Sequence, residues 1–414
     1  MEDTKSILIV GTYDTKSDEL LYLEERIRSQ GADVVTMDVS VLGEAKVTTK
    51  ISKFEVANAV GSTIQQVIES GDENSAMQIM AAGAALITSK LYAEGRIDGL
   101  IAMGGTMGTD LALDCARALP LGVPKHVIST VSFSPLIPAD RLAPDVQMIL
   151  WAGGLYGLNS ICKSSLSQAA GAVVGAARAV EPPSKERPVI GMTSLGSSCL
   201  SYMKRLKEPL EKRGFELAVF HATGMGGMAF ENLAAQGYFA AVMDFALPEL
   251  GNLLVGSIIN AGRNRLLSAG QKGIPQLVAP GCVDLIDFPT WQGVPERFAD
   301  RPYHAHNRLI ASAALNPEER RQTAREIVDR LARAAGPVHL VLPNLGIEEW
   351  DREGQPAHDP EGFSAFLDEM RTAAKDRVQM TEIDAHINDD AFADAVLKIF
   401  DEWVAAKIVR RTAA

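Results

Sequence analysis

The sequence predicts an α/β protein made of two doubly wound parallel-sheet subdomains with a cleft between them. Three observations carry this expectation. An apolar run, 99–103, breaks into Gly104-Gly105-Thr106-Met107-Gly108-Thr109 and then into an alanine-rich helical pattern. A strand–helix–strand pattern fills residues 6–39, and a second one starts at Val189, just after the charged, proline-bearing stretch 181–188. A strand–helix–strand unit of this length requires parallel strands and a crossover helix. Its repetition on either side of a linker favours two sheets over one large sheet. The expected organisation is a nucleotide-binding subdomain over 1–180, a linker over 181–188 and a second subdomain over 189–414.

Taken in order, SILIV (6–10) reads as a buried strand that ends in Gly11-Thr12-Tyr13-Asp14-Thr15-Lys16. A helix with apolar residues at Leu20, Leu21, Leu23 and Ile27 follows, and a second strand runs from Asp33 to Val39. The first turn sets Thr12, Asp14, Thr15 and Lys16 over a helix N-terminus, where backbone N–H groups attract a phosphate. Asp38 closes the second strand, the position at which an acidic residue accepts from a ribose hydroxyl in dinucleotide folds. The plainer alternative makes Asp14 or Ser17 a helix cap and Asp38 a solvated turn residue. Residues 56–87 read as helical, with turns at Gly61-Ser62 and at Gly71 to Asn74.

The central glycine loop lets the backbone come close to an anion, with Thr106 and Thr109 adding hydroxyl donors. Its spacing fits neither the dinucleotide fingerprint nor the P-loop. Gly122 to Thr130 then reads as turn, strand and polar strand end. Three hydroxyl- and glycine-rich strand ends thus meet at the carboxyl edge of one sheet, where open α/β sheets bind ligands.

In the second half, VIGMT (189–193) is a strand and 203–213 a helix, and a strand at 217–220 ends in His221-Ala222-Thr223-Gly224-Met225-Gly226-Gly227. Further strands end near Asp244 and Glu249, and near Gly281 ahead of Asp284 and Asp287. His304 and His306 fall on one face if their segment is extended. A third metal ligand at diagnostic spacing is missing, so a structural or substrate-contacting loop is expected there, and no metal site.

Composition bounds the function. Forty Lys+Arg against 52 Asp+Glu give a net charge of −12 over 414 residues, which argues against nucleic acid or a membrane surface as partner. No stretch is apolar enough to span a bilayer, and the acidic start MEDTKSILIV leads straight into a strand. Cys115, Cys162, Cys199 and Cys282 lack C-x-x-C spacing and read as buried thiols of a cytoplasmic protein.

Several segments, in order, resemble the Tm-one-like ATP-binding family, once catalogued only as uncharacterised. They are GTYDTK (11–16), IDGLIAMGGTMGTD (97–110), LPLGVPKHVIST (119–130), VFHATGMGG (219–227), GIPQLVAPGCVDLIDF (273–288), HAHN (304–307), GPVHLVLPNLG (336–346) and HINDDAFADA (386–395). The resemblance implies two Rossmann-like subdomains, a homodimer, and ATP on the N-terminal subdomain with Mg²⁺ carried by the phosphates. The chain departs from the family pattern at 194–199, 245–249, 255–263, 308–315 and 129–135, so the N-terminal loops are the better preserved half.

Three functions follow. The first is nucleotide binding without assigned turnover. Gly11, Thr12, Asp14, Thr15, Lys16, Asp38, Gly104, Gly105, Thr106, Gly108 and Thr109 would form that site. The second is an enzyme acting on a small anionic metabolite in the cleft, with His221, Glu249, Asp284 and His304 as acid–base groups. The third is a homodimeric interaction module that uses its dimer surface.

Overall fold

The computed structural model describes residues 4–184 and 186–410; the first three residues of the acidic start and Lys185 of the linker lie outside the described residues. The chain divides into two compact units, Met1–Pro183 and Ser184–Ala414.

The first unit runs β1 (Ser6–Gly11), α1 (Ser17–Ser29), β2 (Asp33–Asp38), α2 (Lys53–Ala59), α3 (Ile64–Ile68) and α4 (Glu73–Ala93). It continues with β3 (Gly99–Gly104), α5 (Thr106–Arg117), β4 (Lys125–Ser129), β5 (Gln147–Leu150) and α6 (Ser160–Ala179). Its five strands are all parallel, in the order β2-β1-β3-β4-β5. Side chains alternate across the sheet. Ile7, Ile9 and Ile101 pack with α1 and α6, while Leu8, Val10, Leu100 and Ala102 pack with α2 to α5. Covering both faces explains why β1 and β3 are nearly continuous apolar runs. The helical stretch after β2 breaks where the turn residues stand: Thr63 caps α3 in a reciprocal box with Gln66, and Asp72 caps α4 through Ser75 N at 2.8 Å.

The second unit comprises β6 (Val189–Ser194), α7 (Ser201–Lys212), β7 (Glu216–His221), α8 (Met225–Ala235), β8 (Phe239–Ala246), α9 (Pro248–Leu254) and α10 (Ser268–Lys272). Then come β9 (Gln276–Gly281), β10 (Leu285–Phe288), β11 (Tyr303–Ala305), β12 (Ala311–Ala314), α11 (Pro317–Leu331), β13 (Val338–Pro343), α12 (Pro360–Ala374), β14 (Gln379–Ile383) and α13 (Asp390–Ala405). Six parallel strands lie in the order β14-β13-β9-β8-β6-β7, and β10-β12-β11 form a separate antiparallel sheet. Met192, Met243 and Val341 face α7 and α13, whereas Val278, Leu340 and Leu342 face α11 and α12. Both units are therefore doubly wound. In each, the strand order reverses beside the first strand, between β1 and β3 and between β6 and β8. Ligand crevices of this fold class open at that point, past the carboxyl ends of the strands.

All four cysteines are buried and unpaired. Among the described residues no helix is long and apolar enough to cross a membrane.

Candidate functional site

In the first unit, the loops after β1 and β3 open onto a cavity of about 520 Å³. Eight of the eleven residues expected at a nucleotide line it: Thr12, Asp14, Thr15, Lys16, Gly104, Gly105, Thr106 and Gly108. The other three sit behind the wall. Gly11 ends β1, where an added Cβ would lie 2.8 Å from the Leu20 side chain. Thr109 is buried and its hydroxyl shares a hydrogen bond with Ser129 Oγ at 2.6 Å.

Asp38 corrects the expectation of a ribose acceptor. It is 2% exposed, and its Oδ1 accepts from Tyr13 N (3.1 Å), Ser40 N (3.0 Å) and Ser40 Oγ (2.5 Å). The carboxylate thus fastens the turn after β1 to the end of β2 and does not reach the cavity.

Helix α5 starts at Thr106 with no side-chain cap and no acidic residue in its first turn. The first N–H groups of any helix lack intrahelical acceptors, and the helix dipole concentrates positive potential there. The two adjoining glycines have different reasons to be glycine. At Gly104 a Cβ would lie 2.6 Å from Gly108 Cα, so the strand-to-helix turn itself excludes a side chain. At Gly105 the nearest atom would be Thr130 Oγ1 at 3.9 Å. The fold leaves room for a side chain there, and a close-lying ligand would not.

Lys16, also on the lining, donates its Nζ to Leu155 O at 2.6 Å and lies 5.0 Å from the centroid of the Tyr156 ring. Among the described residues it makes no ion pair. Val39, Val41, Leu42, Ile68, Ala76 and Met77 supply an apolar wall. Asp14, Asp72 and Glu73 line it as well. The N–H and hydroxyl of Ser75 hold the Asp72 carboxyl below its ordinary range. The apolar wall was not legible in the sequence, because α3 and the start of α4 reach the cavity only through the fold.

In the second unit the four expected acid–base residues do not form one site. His221 is exposed and its Nδ1 accepts from Gly196 N at 3.3 Å. His304 is exposed too, its ring 4.9 Å from Trp350 and 5.0 Å from His306. Asp284 is buried, 2% exposed. Glu249 is fully buried on the N-terminus of α8, accepting from Gly224 N (2.5 Å) and Gly227 N (3.1 Å).

Behind Glu249 stands Arg265, itself fully buried. Its guanidinium donates to Glu249 Oε2 (2.8 Å), to both oxygens of Asp244 (2.5 and 2.7 Å), to Glu231 (3.3 Å) and to Ala246 O (2.9 Å). Burial pushes the Glu249 carboxyl up to about 7, against the pull of Arg265 and the two N–H donors. Without solvent access, Glu249 and Asp284 cannot exchange protons with a substrate in this arrangement. The acid–base assignment is corrected accordingly: Glu249 is a buried structural carboxyl held by Arg265 and the α8 turn. Arg265 was missed because no local pattern signals it; three carboxylates from distant segments define its place.

His306 Nε2 meets Ser312 Oγ at 3.1 Å, and that hydroxyl donates to buried Asp287 at 2.5 Å. Burial, with help from His304, pushes the His306 ring down to about 4. Among the described residues no group of three or more His, Cys, Asp or Glu side chains is arranged to hold a metal.

Comparison with known proteins adds the following. Residues 5–182 match the family model described as the N-terminal domain of the uncharacterised protein family UPF0261, and residues 187–404 match that of its C-terminal domain. A UPF0261 protein of Brucella melitensis is 56% identical, over 97% of this chain and 96% of its own length. One from Clostridium tetani is 37% identical, over 95% and 98%. The ToMV resistance protein Tm-1 of Solanum lycopersicum is 29% identical over 96% of this chain, which spans 55% of the tomato protein. Among solved structures, a putative UDP-N-acetylglucosamine 2-epimerase from Listeria monocytogenes is 9% identical, covering 67% of this chain and 79% of its own, with a TM-score of 0.22. A likeness that slight carries no argument.

Proposed function

The chain belongs to the uncharacterised protein family UPF0261, and we propose that it is an ATP-binding protein whose nucleotide occupies the cavity of the first unit. The observation that carries this reading is the uncapped start of α5 behind Gly105, on an apolar-walled cavity of about 520 Å³ that Lys16 also lines. A volume of that order suits a small molecule. Backbone N–H groups at 105–108 would meet the phosphates, with Lys16 supplying charge and Thr12 and Thr15 hydroxyls. Leu42, Ile68 and Met77 would face the flat base. Mg²⁺ would arrive on the phosphates. The reading is binding, with no turnover assigned to the carboxyls that line the cavity, Asp14, Asp72 and Glu73.

Thermal melting of the purified, metal-depleted chain with ATP, ADP, GTP and NAD, each with and without Mg²⁺, tests it. A ligand at 100 times its Kd adds roughly 2.7 kcal/mol. A shift with ATP but not with NAD supports the reading. The absence of any nucleotide shift overturns it, and an unchanged ATP shift in Gly105→Leu moves the nucleotide elsewhere.

A further inference from the structure

Past the carboxyl ends of β9 and β13 lies a group of carboxyls that the nucleotide site does not use. Asp284 and Glu348 are 2% and 0% exposed. Both oxygens of Asp284 and Oε1 of Glu348 are buried with no hydrogen-bond partner among the described residues. The segments that carry them run side by side, Cys282 N donating to Ile347 O at 3.1 Å. Glu348 Oε2 accepts from Trp350 N at 2.8 Å, so three of the four carboxyl oxygens lack a donor. Two ionised carboxylates, which only accept hydrogen bonds, are strongly disfavoured when buried with so few donors. One proton relieves both problems, because it removes a charge and turns one acceptor into a donor.

We infer that Asp284 and Glu348 hold a shared proton at neutral pH, as a buried acid–carboxylate pair beneath the loops that close the carboxyl edge of the second sheet.

The surrounding groups leave the pair in need of that proton. From α11, Arg320 acts on Asp284 with opposite charge, but its Nη2 is also 3.0 Å from Asp359, ahead of α12. Asp351 adds a further negative charge. His386 is fully engaged: its Nε2 meets Glu348 O (2.9 Å) and Asp351 Oδ1 (3.1 Å), and its Nδ1 accepts from Asn388 N (3.0 Å). The remaining titratable neighbours are the thiols of Cys199, from the loop after β6, and of Cys282. Burial pushes that of Cys282 well up.

Burial, and then the negative charge of Asp284, push Glu348 up to about 10; burial, opposed by Arg320 and aided by Asp351, pushes Asp284 up to about 7. The two titrate as a pair. Above them the loops lean on one another. Glu349 N and Asn388 Nδ2 both donate to Ser198 O, at 2.9 and 2.8 Å, and Ile387 N donates to Gly346 O at 3.0 Å. A second charge beneath these contacts loosens the closure.

The folded state therefore keeps a proton that the unfolded chain releases above the ordinary carboxyl range. Stability falls as pH rises from about 4.5 through 7 and towards 10. The test is a melting-temperature profile of the full chain from pH 5 to 9.5, for wild type, Asp284→Asn and Glu348→Gln. An amide supplies the donor without a proton, so each variant melts higher than wild type at pH 9 and shows a flatter alkaline limb. Infrared spectroscopy at pH 7 gives a second readout: a protonated-carboxyl stretch in wild type that diminishes in either variant. Parallel limbs in all three proteins, with that stretch unchanged, overturn the inference. Should both variants fail to fold, the wild-type spectrum decides, and the absence of any protonated-carboxyl band at pH 7 overturns it equally.

Discussion

Two helices in this molecule begin on glycine-rich turns at strand ends, and they treat their N-termini in opposite ways. Helix α5 follows β3, an interior strand beside the switch point, and its uncapped start faces a cavity that Lys16 also lines. Helix α8 follows β7, the edge strand, and its start holds the carboxylate of Glu249. A Cβ on Gly227 would fall 1.8 Å from Glu249 Oε2, so that turn is shaped around an internal anion. A glycine turn offers N–H groups to any anion. Side chains from elsewhere in the sequence decide whether that anion is a ligand or part of the protein. In the second unit they are Glu249 backed by Arg265; in the first, on the proposed reading, Lys16 takes that part.

The sharpest way to break this comparison is to remove the cation behind the internal anion. Arg265→Met leaves three buried carboxylates without their guanidinium and should cost about 3–5 kcal/mol, read by urea unfolding followed by circular dichroism. Unchanged stability would make the Glu249 arrangement incidental. In the first unit, Lys16→Met should remove most of the roughly 2.7 kcal/mol that ATP contributes at 100 times its Kd, while shifting nucleotide-free stability by no more than about 0.5 kcal/mol. Melting with and without ATP separates the two effects.

The adjoining glycines should split the same way. Gly104→Ala should destabilise the nucleotide-free protein by about 1–3 kcal/mol through overpacking, whereas Gly105→Ala should leave it nearly unchanged and weaken ATP. Glu249→Ala should cost about 1–3 kcal/mol by stranding its donors. Inorganic phosphate should restore part of that loss, and a variant blind to phosphate would show that the α8 turn cannot accept an outside anion.

The last effect concerns acid. His126 on β4 is buried, and burial pushes its ring down to about 4. The unfolded chain binds a proton below about 6.5 that the folded chain refuses, so stability falls between pH 6.5 and 4 by at most about 1.4 kcal/mol per pH unit. His126→Leu should flatten that acid limb in a melting profile. His126 in the first unit and His306 in the second thus both lower stability in acid, whereas the carboxyl pair of the second lowers it in alkali.

Local pattern carried the first unit well. The strands at 6–11, 33–38 and 99–104 and the helix from 106 show in apolar runs and turn residues, and eight of the residues expected at the ligand line one cavity. What the sequence hid depends on long-range packing. Asp38 looks like a ribose acceptor until Tyr13 and Ser40 fold around it. Glu249 looks like an acid–base group until Arg265, sixteen residues on, arrives behind it. The antiparallel sheet over 285–314 was invisible as strands because its members are three or four residues long and Pro289, Pro295 and Pro302 interrupt the stretch between the first two. His304 and His306 did come to share a side, but they pack against Trp350.

Glu249 can be regarded as a ligand that never dissociates. Being part of the chain, it faces the α8 turn at an effective concentration no dissolved anion matches, and dilution cannot remove it. The α5 turn has no such tether. If the first unit draws stability from nucleotide by mass action, its resistance to unfolding and proteolysis tracks the supply of ATP, while the second unit's does not. The chain would then have one half whose lifetime follows the energy charge around it and one half indifferent to it.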